Sequence, residues 1–142
     1  MKIGILGTGV VGQTIGSRLV GLAHDVMLGS RSASNMSAAR WATSHRHRAV
    51  QGTFAEAAEF GDIVFNCTAG ASSIEALQLA DAERTVAGKI LVDVSNPLDF
   101  SRGHPPTLTV CSTDSIGEEI QRAFPKTRVV KTLCTANSEI MV

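Results

Sequence analysis

Short apolar runs alternate with segments of helical spacing along the chain. Lys2–Leu6, Asp25–Leu28, Arg48–Gln51, Asp62–Cys67, Lys89–Val94 and Arg128–Lys131 read as strands. Most lack a clean in–out alternation, the pattern of strands covered on both faces. Between them, Val10–Leu22, Asn35–Ser44, Phe54–Phe60, Ser73–Ala80 and Ile116–Phe124 have the spacing of helices. Three of these follow a hydroxyl placed three residues ahead of a glutamate: Thr53 before Glu56, Ser72 before Glu75, and Ser115 before Glu118. Each pair is expected to form a capping box, the hydroxyl taking an orphan helix amide while the glutamate reaches back. Strands and helices in phase predict one α/β domain over residues 1–142, built on a doubly wound parallel sheet. There is no internal repeat and no low-complexity segment.

Two stretches depart from the alternation. The connection Ser95–Asp114 carries Pro97, Pro105, Pro106 and Gly103 and follows the fifth strand, at the end of the sheet where open α/β folds keep their ligands. It reads either as a functional loop or as a surface excursion with a short extra strand at Thr107–Cys111. After Arg128–Lys131, the segment Thr132–Val142 starts an element without a partner. Its apolar Ile140-Met141-Val142 end reads as an interrupted element, completed by further chain or by another molecule.

Composition narrows the function classes. With 142 residues, 44% hydrophobic and 18% charged, the chain is ordinary globular protein with one core. Thirteen basic and thirteen acidic residues give no net charge, which argues against broad nucleic-acid or anionic-membrane binding but not against a local anion pocket. No apolar run approaches the length of a membrane-crossing helix, and glycines from Gly4 onward interrupt any signal-peptide stretch. Cys67, Cys111 and Cys134 are an odd number without a CxxC pair, as expected of a reduced, cytoplasmic protein.

The most specific local signal is Gly7-Thr8-Gly9-Val10-Val11-Gly12, directly after the first strand and opening the first helix. In that context Gly7 permits the tight turn, Gly9 lets a pyrophosphate approach the backbone, and Gly12 lets the helix pack close on the strand. The exposed amides and the helix dipole would hold the anion. The bland alternative is a glycine turn that serves helix packing alone. An NAD site usually has an acid at the end of the second strand, but here that strand runs into Leu28-Gly29-Ser30-Arg31-Ser32. A guanidinium and hydroxyls suit a 2′-phosphate, so Ser30 and Arg31, with Thr8 and Asn35 nearby, point to NADP(H). The alternative is that Arg31 only solvates a loop.

Other candidates are weaker. His45-Arg46-His47-Arg48 lacks further residues at ligand spacing and reads as a solvated basic loop, so no metal site is expected. His104 faces either solvent or a substrate. Cys67 reads as a small hydrophobe rather than a nucleophile. No GxSxG elbow and no Walker lysine are present, and no catalytic side chain is assigned. The strand ends at Asn66–Ser72 and Ser95–Leu98 would flank the nicotinamide, small residues at 69–71 letting the ring lie close to backbone. Hydride transfer to a flavin-like ring needs placement more than an acid or base.

Met1–Gly12, Gly29-Ser30-Arg31, Phe65–Gly70, Val92–Phe100 and Val130–Leu133 together resemble the coenzyme F420-dependent NADP oxidoreductase family over essentially the whole chain. The resemblance implies a Rossmann domain and hydride transfer between NADPH and the deazaflavin F420. It implies that Thr8, Ser30 and Arg31 hold the 2′-phosphate and that the amides of Val10 and Val11 hold the pyrophosphate. Thr68, Ala69, Asn96 and Pro97 would line the nicotinamide side, with Ala136 or Asn137 near the same cleft. It also implies a homodimer and a small C-terminal segment over the deazaflavin, about where this sequence stops. Asn35 stands where some relatives have lysine, and Cys134 where asparagine is frequent. The cytosolic domain of membrane ferric reductases is a related resemblance. Two other functions fit the same residues: a non-catalytic NADP-binding module, truncated or a sensor, and a reductase of a small imine or keto substrate with a nearby hydroxyl or His104 as proton donor.

Overall fold

The computed structural model describes the backbone of residues 1–142 and every side chain but that of Arg46, so the Arg46 part of the basic stretch lies outside the described residues. The elements are β1 (Lys2–Leu6), α1 (Val10–Gly21), β2 (Asp25–Ser30), α2 (Met36–His45), β3 (Ala49–Thr53), α3 (Phe54–Phe60), β4 (Ile63–Asn66), α4 (Ser73–Leu79), α5 (Ala82–Thr85), β5 (Ile90–Asp93), β6 (Leu98–Asp99), β7 (Thr107–Leu108), α6 (Ile116–Ala123) and β8 (Arg128–Lys131). Six strands form one parallel sheet in the order β3-β2-β1-β4-β5-β8. This is the doubly wound Rossmann arrangement. The direction of winding reverses between β1 and β4, and the two chains diverging there leave a crevice at the carboxyl ends of the strands.

Register explains most of the differences from the sequence pattern. β2 continues two residues past Leu28, because Gly29 and Ser30 pair with Gly52 and Thr53 of β3. Gly29 is therefore strand, not turn: a Cβ there would stand 2.8 Å from Ala57 Cβ, so glycine is what lets α3 lie on β2. Helix α5 has no counterpart in the sequence reading. In the long connection, only Thr107–Leu108 of the expected Thr107–Cys111 strand pairs, antiparallel to Leu98–Asp99.

The three expected capping boxes differ. Thr53 makes the full reciprocal box with Glu56. Ser115 accepts from the Glu118 amide, but its own N–H donates to Asp114 Oδ1, so the return half is missing. Ser72 makes no cap at all. It closes a short 3-10 turn, Gly70–Ser72, that enters α4 directly, and its φ of −107° and ψ of 4° do not aim the hydroxyl at the helix amides.

The core has two layers. On one face of the sheet α3 to α6 cover Leu6, Val64 and Leu91. On the other, α1 and α2 cover Ile3, Ile5, Val26 and Leu28, with Trp41 donating its indole N–H to Ser17 Oγ at 3.0 Å. This second layer extends over β4 and β5 but leaves the outer edge of the sheet exposed. The row Ile63 and Phe65, Ile90 and Val92, and Val130 points to the same side as Ile3 and Ile5; Phe65 and Val92 pack against the layer together with Leu133 and Met141 of the C-terminal segment, and the cover thins toward the sheet edge. Ile90 and Val130 are 37% and 47% exposed.

Candidate functional site: a dinucleotide cleft across the strand ends

The glycine turn sits at the crevice. Gly7 has φ +121°, a conformation side chains rarely adopt, and its N–H donates to Gly29 O at 3.0 Å. Gly9 is exposed, and a Cβ built on it meets nothing within 4 Å, so that side of the turn is open to a ligand. Gly12 is buried against the Gly7 backbone and Ile5. The first helical bond runs from Gln13 N–H to Gly9 O. The amides of Val10, Val11 and Gly12 therefore precede the helical ladder and offer a free, dipole-aligned anion site. The Val10 side chain is 71% exposed and only its backbone belongs to the turn.

Facing that turn is the loop after β2. A cleft of about 460 Å³ joins the two, lined by Gly7, Thr8 and Gly9 on one wall and Ser30, Arg31, Ser32 and Asn35 on the other. Arg31 is exposed and, among the described residues, has no acidic partner. Ser30 is placed differently from the expectation. It is buried, its hydroxyl donating to Ser32 O and accepting from Ser32 N–H, so it shapes the turn that presents Arg31. Asn35 accepts from Ala38 N–H through Oδ1 at 3.0 Å, which makes it the start of α2 as well as a wall of the cleft. A second hollow of about 210 Å³ lies beyond Arg31, between Phe54, Thr68, Ala69 and Leu79. Phe54 was not singled out by its sequence. The signal was available, since it follows β3 directly and β3 pairs with the strand that ends just before Arg31.

Past the glycine turn, a cleft of about 400 Å³ runs over the ends of β4 and β5. Cys67, Thr68 and Ala69 border both this cleft and the one at Arg31, so the two form one path. Asn96 and Ala136 line it, with Leu98, Phe100 and Met141 as apolar rim. Pro97 does not line it; the residue is buried behind, and its carbonyl accepts from Thr109 N–H at 2.9 Å. Small residues at 69–71 have two functions rather than one. Ala69 and Ala71 are exposed to the cleft, but Gly70 is buried, and a Cβ on it would run into the Asn96–Pro97 peptide. Asn137 is exposed and caps the short turn Ser138–Ile140. His104 lies outside the cleft lining, its ring edge-on to Phe100 at 5.2 Å.

Beneath this cleft lies a polar network that sequence reasoning missed. Asn66, fully buried, donates through Nδ2 to Ser73 Oγ at 2.9 Å and Asp93 Oδ1 at 2.8 Å, and its Oδ1 accepts from Thr68 Oγ1 at 2.7 Å. Asp93, also fully buried, is paired with Lys131 Nζ at 3.2 Å, and the same ammonium donates to Ser95 O. Asn96 Nδ2 donates to Cys134 O at 2.6 Å. The loops after β4, β5 and β8 are thus tied together below the surface. Burial pushes the Cys67 thiol far up, and the Asp93 charge adds to it, so Cys67 stays a neutral thiol. The signal for the network was an asparagine and an aspartate ending two apolar strands, where burial on both faces makes a polar side chain conspicuous. No group of side chains that could hold a metal occurs among the described residues, and no described helix is long and apolar enough to cross a membrane.

The arrangement fits an NADP(H) molecule laid across the strand ends: free amides for the pyrophosphate, an unpaired guanidinium with no acid at the 2′ position, and a partly apolar cleft for the nicotinamide.

Comparison with known proteins bears on this geometry. A protein of Arthrobacter sp. FB24, provisionally described as an F420-dependent NADP-reductase, has a crystal structure that superposes with a TM-score of 0.91 at 49% identity, covering 100% of this chain and 66% of that one. The metalloreductase STEAP3 of Rattus norvegicus is 32% identical over 131 residues, 92% of this chain and 24% of that protein. This chain thus spans only part of both relatives. An imine reductase of Streptomyces aurantiacus superposes with a TM-score of 0.64 at 19% identity, over 92% of this chain and 39% of that one, and shares the fold alone. Residues 2–97 match the family described as NADP oxidoreductase coenzyme F420-dependent, and the chain belongs to that family of NADP-dependent oxidoreductases.

Proposed function

We propose that this protein binds NADP(H) through the residues just described and transfers a hydride between its nicotinamide and a flavin-type acceptor, coenzyme F420. The observation that carries the reading is the pairing of two walls in one cleft: the open amides at Gly9–Gly12, and an acid-free turn that presents Arg31. NADPH supplies the hydride when bound. Thr8 and Arg31 hold the 2′-phosphate, Val10 and Val11 the pyrophosphate, and Thr68, Ala69, Asn96 and Ala136 place the nicotinamide. Ser30 and Pro97 support those positions from behind. The cleft over β4 and β5 supplies no acid or base in contact with a substrate, since Cys67 stays protonated and Asp93 is sealed below the surface. That suits a conjugated ring, where placement and exclusion of water dominate and the accompanying proton comes from solvent. The apolar rim of Leu98, Phe100 and Met141 suits a flat aromatic acceptor. The free cysteines fit a reducing cytoplasm, and the exposed Ile90 and Val130 at the β5-β8 edge fit a homodimer.

The test is to mix the full-length protein with NADPH and F420 and follow deazaflavin absorbance. Bleaching is expected with NADPH and little with NADH. Tight NADPH binding without bleaching would remove F420 as the acceptor and leave the nucleotide site standing.

A further inference from the structure

We propose that the Gln13–Ser37 contact is a specificity-determining brace, which fixes the distance between the pyrophosphate wall and the 2′-phosphate wall and so sets the preference for NADP(H) over NAD(H). The inference rests on the NADP(H) reading above and adds positioning residues to it.

Gln13 lies in the first turn of α1 and Ser37 in the first turn of α2, 24 residues apart. Gln13 Nε2 donates to Thr8 O at 2.8 Å and to Ser37 Oγ at 2.8 Å. One amide nitrogen carries two hydrogens, so both bonds form together. The Ser37 hydroxyl, accepting from Gln13, donates on to Thr8 O at 3.4 Å. The three groups close a triangle that fastens the glycine turn to the beginning of α2. Immediately before Ser37 come Asn35 and the Arg31–Ser32 turn, which form the opposite wall of the cleft.

The pyrophosphate and the 2′-phosphate of one nucleotide are joined by a ribose and cannot adjust their separation freely. Both are met at once only if the two walls stand at a matching distance. A nucleotide lacking the 2′-phosphate engages the glycine turn and is indifferent to where Arg31 stands. Loosening the brace must therefore cost NADPH more than NADH. A contact that served only to stabilise the fold would weaken the two alike.

The experiment titrates NADPH and NADH separately into the full-length wild-type protein and into Ser37→Ala, Ser37→Thr and Gln13→Leu, reading Kd for each. Ser37→Ala removes both of the serine's bonds, every link to α2, and leaves Gln13 on Thr8; Gln13→Leu removes both of the glutamine's bonds and leaves only the longer Ser37–Thr8 contact. The NADH-to-NADPH ratio of Kd values is expected to fall about fivefold in Ser37→Ala and to fall in the same direction in Gln13→Leu, with NADH binding nearly unchanged. Ser37→Thr keeps the hydroxyl and should keep the ratio. On an Arg31→Ala background, Ser37→Ala should change the ratio no further. Equal weakening of both nucleotides, or a wild-type preference that survives in Ser37→Ala, overturns the inference alone. A wild-type protein with no preference for NADPH overturns the NADP(H) reading and this inference with it.

Discussion

The two halves of the sheet are built differently. Around β1, β2 and β3, helices cover both faces, and the cleft walls are a glycine turn, a helix start and a loop held by its own hydrogen bonds that presents Arg31. Around β4, β5 and β8 one face is only partly covered, and the loops that line the cleft are held by side chains instead, the buried Asn66 and Asp93 and the partly buried Lys131. The first half can be rigid because packing makes it so on both sides. The second obtains its order from a buried polar network in which Asp93 Oδ2 makes no hydrogen bond and has only the Lys131 ammonium opposite it. The half expected to hold the adenosine and phosphates is therefore fixed by geometry common to many nucleotide folds. The half expected to meet the hydride acceptor is fixed by a few replaceable contacts, where chemistry can diverge.

The largest effect should come from breaking that network. Lys131→Met leaves Asp93, fully buried, with only the Asn66 amide and the Ser95 N–H as donors. Removing one partner of a buried ion pair is costly because the other charge is left uncompensated, and with Lys131 one-quarter exposed the loss should be about 2–3 kcal/mol. Denaturant unfolding would show this as a lower midpoint at unchanged slope. Adding Asp93→Asn should restore most of it. The contrast between the halves predicts more: hydrogen exchange in Lys131→Met should speed up at Ser95 and Asn96 while the amides of α1 stay protected. Uniform acceleration across the sheet would show that the two halves are one cooperative unit.

How much of this was readable in the sequence follows the same division. The first half was legible because its constraints are local. Gly7, Gly9 and Gly12 lie within six residues, and the missing acid after Leu28 is a single position. The second half depends on contacts between residues far apart in the chain. Asn66 to Asp93 and Asp93 to Lys131 are invisible until β4, β5 and β8 are laid side by side. Ser30 shows the limit even locally, since residue type placed it at the phosphate but only the turn geometry shows its hydroxyl turned inward. Ser72 shows another: the Ser-x-x-Glu pattern was present, but a preceding 3-10 turn decided the backbone angle on which a cap depends.

A smaller effect should separate the two roles open to Arg31. It borders both the cleft facing the glycine turn and the hollow lined by Phe54 and Leu79. If the guanidinium grips the 2′-phosphate, Arg31→Ala should weaken NADPH about tenfold and leave NADH nearly unchanged, because a charge-assisted hydrogen bond to phosphate is worth roughly 1.5 kcal/mol or more. The loss should shrink as salt is raised. Equal weakening of both nucleotides would instead assign Arg31 to stacking on the adenine, and titration with the two cofactors distinguishes these outcomes directly.

The smallest effects test the caps, which follow the same sequence pattern in the two halves and differ in structure. Thr53 caps α3 in the covered half; Ser72 precedes α4 in the other half and caps nothing. Thr53→Ala should cost about 1 kcal/mol, and Ser72→Ala should fall within about 0.5 kcal/mol of wild type, measured by the same unfolding titration. The Thr53 box also carries a pH signature. The Thr53 backbone N–H and then its hydroxyl donate to the Glu56 carboxylate and hold it below its ordinary value of 4.5. A carboxylate with a lowered folded value stabilises the fold above its unfolded value, and that contribution fades as the pH falls through the folded one. Glu56→Gln should therefore lose stability against wild type at neutral pH and draw level with it in acid. Thr53→Ala keeps the backbone donor and should show only part of that pH dependence. If Glu56→Gln tracked wild type at every pH, the box would be a geometric coincidence, and the distinction between the two caps would rest on Thr53 alone.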